Sequence, residues 1–231
     1  MATIAKNLQA VNERISRAAA SANRSVKNVR LLAVSKTFGA AQIREAWDAG
    51  QRIFGENFVQ ESLDKMHELQ DLAIEWHFIG PLQSNKTRSV AEHFSWVHSI
   101  DREKIARRLN DGRPDHLPPL NVLIQVNVSG ESSKSGVSPG GERPLADAIR
   151  TMHRLRLRGL MAIPEPTPDR AVRRERFALL RTLQQSLQAD QAHVDTLSMG
   201  MSDDLEEAVA EGSTLVRVGT AIFGVRTAAK P

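Results

Sequence analysis

The sequence predicts an α/β fold, a single closed (β/α)8 barrel of the TIM type with one extra helix at its N-terminal end. Three observations predict it. About eight short apolar runs alternate with helix-patterned segments along the 231 residues, and alternating βα units build parallel strands with right-handed crossovers. The length suits one such barrel, and no linker or internal repeat divides the chain, so residues 1–231 read as one domain. Finally, an open doubly wound sheet of the dinucleotide-binding kind carries a glycine-rich turn after its first strand. Here that turn is Ser35-Lys36-Thr37-Phe38-Gly39.

The elements follow in order. Ile4, Leu8, Val11 and Ile15 have helical spacing and define the extra helix over 4–22, ended by Asn23 and Arg24. A strand at 30–35 leads to a helix at 40–49 that Gly50 stops. A strand at 51–54, closed by Gly55, is followed by a helix at 59–69. The third strand, 75–79, ends at Gly80-Pro81; 84–91 is helical and 95–100 is a strand. Asp101 is expected to cap a helix that runs to about 110. After a linker at 114–119 comes 120–128, the longest and most apolar strand. The stretch 129–141 (SGESSKSGVSPGG) is a polar loop, long enough to suggest a functional role. A helix at 145–153 and a strand at 155–163 lead to the rigid Pro164-Glu165-Pro166-Thr167-Pro168. The longest helix spans 170–188, then a strand at 193–197. Ser202 or Asp203 is expected to cap the next helix, which Gly212 stops; 214–218 is the last strand, and Gly219-Thr220 opens a final short segment.

Composition excludes several classes. A chain of this length, 41% hydrophobic, needs no metal or disulfide staple. It has no cysteine, so disulfide frameworks, thiolate metal sites and thiol nucleophiles are out, and no tyrosine. The net charge is +4 with both signs mixed. The densest basic run, 170–176 (RAVRRER), reads as a solvated helix face without interleaved aromatics, so no nucleic-acid partner is expected. A small anionic ligand suits the charge equally well. Lys6 and Glu13 interrupt the N-terminal segment, which is no signal peptide, and no apolar run reaches the ~18 residues of a membrane span. A soluble, cytoplasmic monomer without a membrane partner is expected.

In such a barrel the chemistry gathers at the C-terminal strand ends, with phosphate commonly held after strands seven and eight. Lys36 follows strand one and shares parity with Leu32 and Val34. If that face is inward, its amine sits at the barrel mouth, where partial desolvation would let it form a Schiff base; a snorkelling lysine is the bland alternative. Asn57, taken alone, reads as a helix N-cap. His77 alternates with Trp76 and Phe78 and, taken alone, reads as a hydrogen-bonded core histidine. After strand seven, Ser198-Met199-Gly200-Met201-Ser202 opens a helix, and Arg217-Val218-Gly219-Thr220 ends strand eight. Hydroxyls, glycine and helix N-termini favour an anion, and Arg217 has the parity of Leu215. An amine, a phosphate cradle and an inward arginine together describe pyridoxal 5′-phosphate (PLP). A Schiff-base aldolase-type barrel for a sugar phosphate is the alternative.

The runs LLAVSKTF, FGENFVQE, WHFIGPLQSNK, VNVSGESSKSG, LRGLMAIP, LSMGMSDDLEEAV and VRVGTAIFG, in this order from about residue 30 to 226, resemble the PLP homeostasis protein family, itself related to the N-terminal barrel of alanine racemase. The resemblance implies one PLP-bearing barrel of the alanine racemase N-terminal type. It implies Lys36 as the Schiff-base lysine and Arg217 as partner of the pyridine nitrogen. Ser202, Gly219 and Thr220 would hold the phosphate, Asn57 would lie near the cofactor, and His77 and Met199 would be neighbours. The polar residue the family carries after Asn is Phe58 here. In the related racemases the second acid/base is a tyrosine from a separate domain. This chain has no tyrosine and no length left for such a domain. The expectation is therefore a PLP carrier that buffers the cofactor or hands it to apo PLP-dependent enzymes. The alternative is a weak amino-acid racemase using His77 or water as second base.

Overall fold

The computed structural model describes residues 3–131 and 135–225. Eight parallel strands close on themselves in sequence order: β1 (Arg30–Val34), β2 (Ile53–Glu56), β3 (Glu75–Phe78), β4 (Trp96–Ile100), β5 (Leu120–Gln125), β6 (Leu155–Met161), β7 (Thr196–Ser198) and β8 (Leu215–Val218). Closure comes from β1 pairing with β8, Leu32 opposite Arg217 and Ala33 opposite Val218. Helix α1 (Ile4–Ser21) precedes the barrel. The others are α2 (Ala40–Asp48), α3 (Val59–Glu68), α4 (Thr87–His93), α5 (Glu103–Gly112), α6 (Glu142–Arg150), α7 (Arg170–Gln188), α8 (Leu205–Ala210) and α9 (Thr220–Phe223).

Side-chain caps start the two longest helices. Thr3 caps α1 through Lys6 N, and Asp169 caps α7 by accepting from the amides of Ala171 and Val172. Three caps differ from the sequence expectation. Arg102, not Asp101, stands at the N-cap of α5. The N-cap of α8 is Asp204, whose carboxylate accepts from Met201 N at 2.6 Å, so Ser202 and Asp203 lie in the preceding turn. Phe58, not Asn57, stands at the N-cap of α3. Helix α6 begins at Glu142, three residues earlier than its apolar periodicity suggests, because Leu145 and Ala146 are its first buried apolar residues. Of the loop at 129–141, residues 132–134 lie outside the described residues.

Strand alternation sorts the side chains into two layers. Outward positions such as Leu31, Ala33, Phe54, Trp76, Phe78 and Val97 join the main core beneath the helices. Inward positions form two small apolar groups in the lumen: Leu32, Ile53 and Leu215 with Val34 and Ile79, and Trp96, Leu123 and Met161. Helix α1 is tied across the barrel wall by Asn7 Nδ2 donating to Ile222 O and by an Arg14–Glu206 pair. Among the described residues no helix is long and apolar enough to cross a membrane.

Candidate functional site

Because Leu32 and Val34 face the lumen, Lys36, two residues further on, leaves β1 at the C-terminal mouth, half-buried in a turn. The next residue, Thr37, has φ 70°. A β-branched residue in the left-handed region is strained and persists only where its surroundings hold it. The hold comes from behind, in the barrel–helix layer. Lys65 of α3, 5% exposed, donates to Ser35 O, Glu56 Oε1 and Glu61 Oε1. Ser35 Oγ donates to Glu56 Oε1 at 2.6 Å, and Glu61 Oε1 accepts from Thr37 N at 2.6 Å. Both residues flanking Lys36 are thereby pinned. Burial pushes the Glu56 carboxyl up from its ordinary value, while the Lys65 charge and the bonds from Lys65 and Ser35 pull it back. The second Glu56 oxygen has no hydrogen-bond partner among the described residues.

Arg217 points into the lumen, as its parity predicts. It is 4% exposed. Its Nη1 donates to Ser198 O at 2.6 Å and Ser198 Oγ at 2.7 Å, and its Nη2 donates to Ala162 O at 2.8 Å. These bonds use three of the five N–H donors a guanidinium carries. Burial lowers its pKa to about 10, with the Asp204 charge acting the other way. The donor set fits an uncharged, electron-rich acceptor such as a pyridine nitrogen, which satisfies a buried N–H without adding a charge.

Ser202 is half-buried in the turn after β7, and Gly219 and Thr220 form the N-cap and first residue of α9. Gly219 sits in close approach to β1: a Cβ there would lie 3.1 Å from Val34 O, so any larger residue would push the strand end aside by a few tenths of an ångström. The Gly219-Thr220 candidates and the Lys36 turn therefore meet at the β1–β8 seam. Asn57 follows β2 and packs on Gly80, where a Cβ would meet Asn57 O at 2.5 Å. Asn57 Oδ1 is buried and has no hydrogen-bond partner among the described residues, so it too has capacity for a ligand.

Two candidates lie elsewhere. Met199 is fully buried in the main core, on the face of the sheet away from the lumen. His77 lies in the lumen with both ring nitrogens committed, to His98 and Glu75 at 2.8 Å each. It borders a cavity of about 370 Å³ at the opposite, N-terminal mouth, lined also by Arg24, Lys27, Arg30, Trp96 and Arg158. Sequence reasoning missed Glu56, Lys65, Ser198 and His98. The last was within reach, since in Trp96-Val97-His98 the histidine shares the face of the inward Trp96. Among the described residues, no cluster of His, Asp and Glu could hold a metal ion.

This closed barrel, with a lysine turn and a lumen arginine at one mouth, is of the class typified by the alanine racemase N-terminal domain, a family that matches residues 6–227. Alanine racemase from Corynebacterium glutamicum shares the fold, with a TM-score of 0.70 at 14% identity over 98% of this chain and 61% of that one. The pyridoxal phosphate homeostasis protein of Pseudomonas aeruginosa is 59% identical over 231 residues, 100% of this chain and 99% of that protein. PipY of Synechococcus elongatus, solved with PLP bound, is 40% identical with a TM-score of 0.79, covering 91% of this chain and 100% of that one. The chain belongs to the pyridoxal phosphate homeostasis protein family.

Proposed function

We propose that the protein binds PLP and works as a cytoplasmic, monomeric carrier in PLP homeostasis, buffering the cofactor or delivering it to apo PLP-dependent enzymes. Bound PLP supplies an aldehyde, and Lys36 supplies the amine for a reversible Schiff base with it. Arg217 partners the ring nitrogen. Ser202, Gly219 and Thr220 hold the phosphate, with Asn57 beside the cofactor. The observation that carries this reading is Arg217: a buried guanidinium with uncommitted donors, in the lumen of the barrel whose C-terminal mouth bears a half-buried lysine. An arginine at the ring nitrogen disfavours its protonation and weakens the cofactor as an electron sink. The chain has no tyrosine, and His77 has no free ring nitrogen to serve as a second base. Both facts favour carriage over turnover. The PLP-bound relative and the homeostasis proteins of like sequence support the same reading.

The test is the absorption spectrum of the purified protein with and without PLP. A yellow imine band is expected, bleached by borohydride and lost in Lys36→Ala. A colourless protein that PLP does not reconstitute overturns the reading. Arg217→Ala and Ser202→Ala should each weaken PLP retention; unchanged retention in both would move the cradle elsewhere. Exchange of amino-acid α-protons in deuterated water at an enzyme-like rate, lost in Lys36→Ala, would replace the carrier with a racemase.

A further inference from the structure

Beside the two apolar groups of the lumen, a row of polar side chains runs below Arg217, where a barrel interior is normally packed with branched apolar ones. Ser198 Oγ lies 3.0 Å from His98 Nδ1, and His98 Nε2 lies 2.8 Å from His77 Nδ1. His77 Nε2 lies 2.8 Å from Glu75 Oε1. Beyond it, Arg30 Nη2 donates to both Glu75 oxygens at 2.9 and 3.1 Å. Ser198, His98 and His77 are fully buried. Trp96 stacks on His77 with ring centroids 5.2 Å apart and planes 11° apart, and lies edge-on to His98 at 6.2 Å. The rings therefore have little room to turn. One row of polar groups crosses the barrel from the cofactor mouth to the opposite mouth.

Valence sets the direction of every bond in that row. A carboxylate only accepts, so His77 Nε2 carries a proton and donates to Glu75. In a neutral imidazole the other nitrogen is then bare, so His77 Nδ1 accepts from His98 Nε2–H. By the same rule His98 Nδ1 is bare and accepts from the Ser198 hydroxyl, and Ser198 Oγ accepts from Arg217. Each donor has an acceptor, from the guanidinium to Glu75. Burial supports the neutral forms. It lowers the pKa of His77, against the opposing pull of Glu75, and lowers that of His98 well below the ordinary value, where the charges of His77 and Arg217 act in the same direction.

We propose that Ser198, His98 and His77 are positioning residues for Arg217: their one-way row of hydrogen bonds, anchored on the Glu75–Arg30 pair at the far mouth, holds the guanidinium in a single orientation for the ring nitrogen of PLP. The proposal rests on Arg217 as the ring-nitrogen partner and adds what fixes it. An arginine held only by two backbone carbonyls could pivot about them. The Ser198 hydroxyl, itself oriented by His98, removes that freedom, and the neutral histidines do so without placing a second cation beside the guanidinium.

Two measurements test it. The first needs no PLP. Nitrogen-15 NMR of the imidazoles in the full-length apo protein should find both His77 and His98 neutral, each protonated on Nε2. His98 protonated on Nδ1, or on both nitrogens, at neutral pH overturns the row. The second is PLP titration, read by imine absorbance and by the pH midpoint of the imine band, for wild type, Arg217→Ala, Ser198→Ala, Glu75→Leu and Glu75→Gln. Ser198→Ala is close to isosteric, and Glu75 is only partly buried, so both substitutions are compatible with folding. Ser198→Ala should weaken PLP binding roughly tenfold, the scale of a hydrogen bond to a charged group, and shift the imine midpoint in the direction of Arg217→Ala. Glu75→Leu should shift it the same way by less. Glu75→Gln, whose carbonyl still accepts from His77, should restore wild-type behaviour. If Arg217→Ala leaves affinity and spectrum unchanged, the ring-nitrogen assignment fails. If Arg217→Ala has its effect while Ser198→Ala and Glu75→Leu match wild type, the assignment stands and the positioning row is wrong.

Discussion

Two of the residues proposed to hold PLP, Lys36 and Arg217, are supported in opposite ways. Lys36 is braced from outside the barrel by an ionic cluster, in which Lys65 meets two carboxylates and the backbone of the Lys36 turn. Arg217 is braced from inside by hydroxyl and neutral imidazole. The difference follows from what each side chain must do. Lysine is a flexible stem with a point charge, so the turn that launches it needs fixing, and a buried ion pair ties strand, turn and helix together from behind. Arginine is a planar fork that must be aimed. It already brings a positive charge into the lumen, so neutral partners orient it without adding repulsion.

The largest effect expected from breaking this contrast is at Lys65. Lys65→Met leaves Glu56, which is 0% exposed, without its cation, and should cost about 3–5 kcal/mol in denaturant unfolding. Because burial already pushes the Glu56 carboxyl up, the double variant with Glu56→Gln should recover much of that loss. Strict additivity would show that the two do not form one unit. A smaller effect is expected from Glu61→Ala, which frees Thr37 N–H. It should cost about 1 kcal/mol, speed hydrogen exchange at Thr37 and weaken PLP retention.

Acid should find the inner support first. The folded-state pKa values of His77 and His98 are lowered, so the folded protein takes up protons less readily there than the unfolded chain. Their contribution is complete above the ordinary histidine value of 6.5 and declines as pH falls below it. At Glu75, burial opposes ionisation, but the bonds and charges of His77 and Arg30 outweigh it and hold the carboxyl down to about 2. Its contribution is complete above 4.5 and is lost as pH falls towards 2. Unfolding midpoints in urea between neutrality and pH 4.5 should therefore fall with pH. Burial raises the Glu56 and Asp204 carboxyls and so opposes this fall; a profile that stays flat with Glu56→Gln and Asp204→Asn in place would mean the histidines are not held neutral. The smallest effect belongs to an exposed control, the Arg88–Glu92 pair on α4: Glu92→Ala should leave the urea midpoint almost unchanged, because solvent screens such a pair.

Much of this was legible in sequence. The alternation of strands and helices marks eight βα units, and parity along 32, 34 and 36 and along 215, 217 and 219 aims Lys36 and Arg217 at one mouth. Caps were less legible. Asp204 rather than Ser202 takes the N-cap of α8, because the turn after β7 runs on before the helix starts. Met199 and His77, adjacent in sequence to mouth residues or prominent in their strand, sit in the core and in the deep lumen instead.

What the sequence determined by itself is what depends on neighbours a few positions apart: which residues face inward, where strands end, and that a lysine and an arginine stand at strand ends. Only the tertiary structure decided which inward residues touch. Glu75, His77, His98, Ser198 and Arg217 come from β3, β4, β7 and β8, and Ser35, Glu56, Glu61 and Lys65 from the end of β1, the end of β2 and α3. Alternation assigns a residue to a face, but its depth and its cross-lumen partner depend on the stagger of strands around a closed barrel. That stagger is set by the packing of all eight strands together.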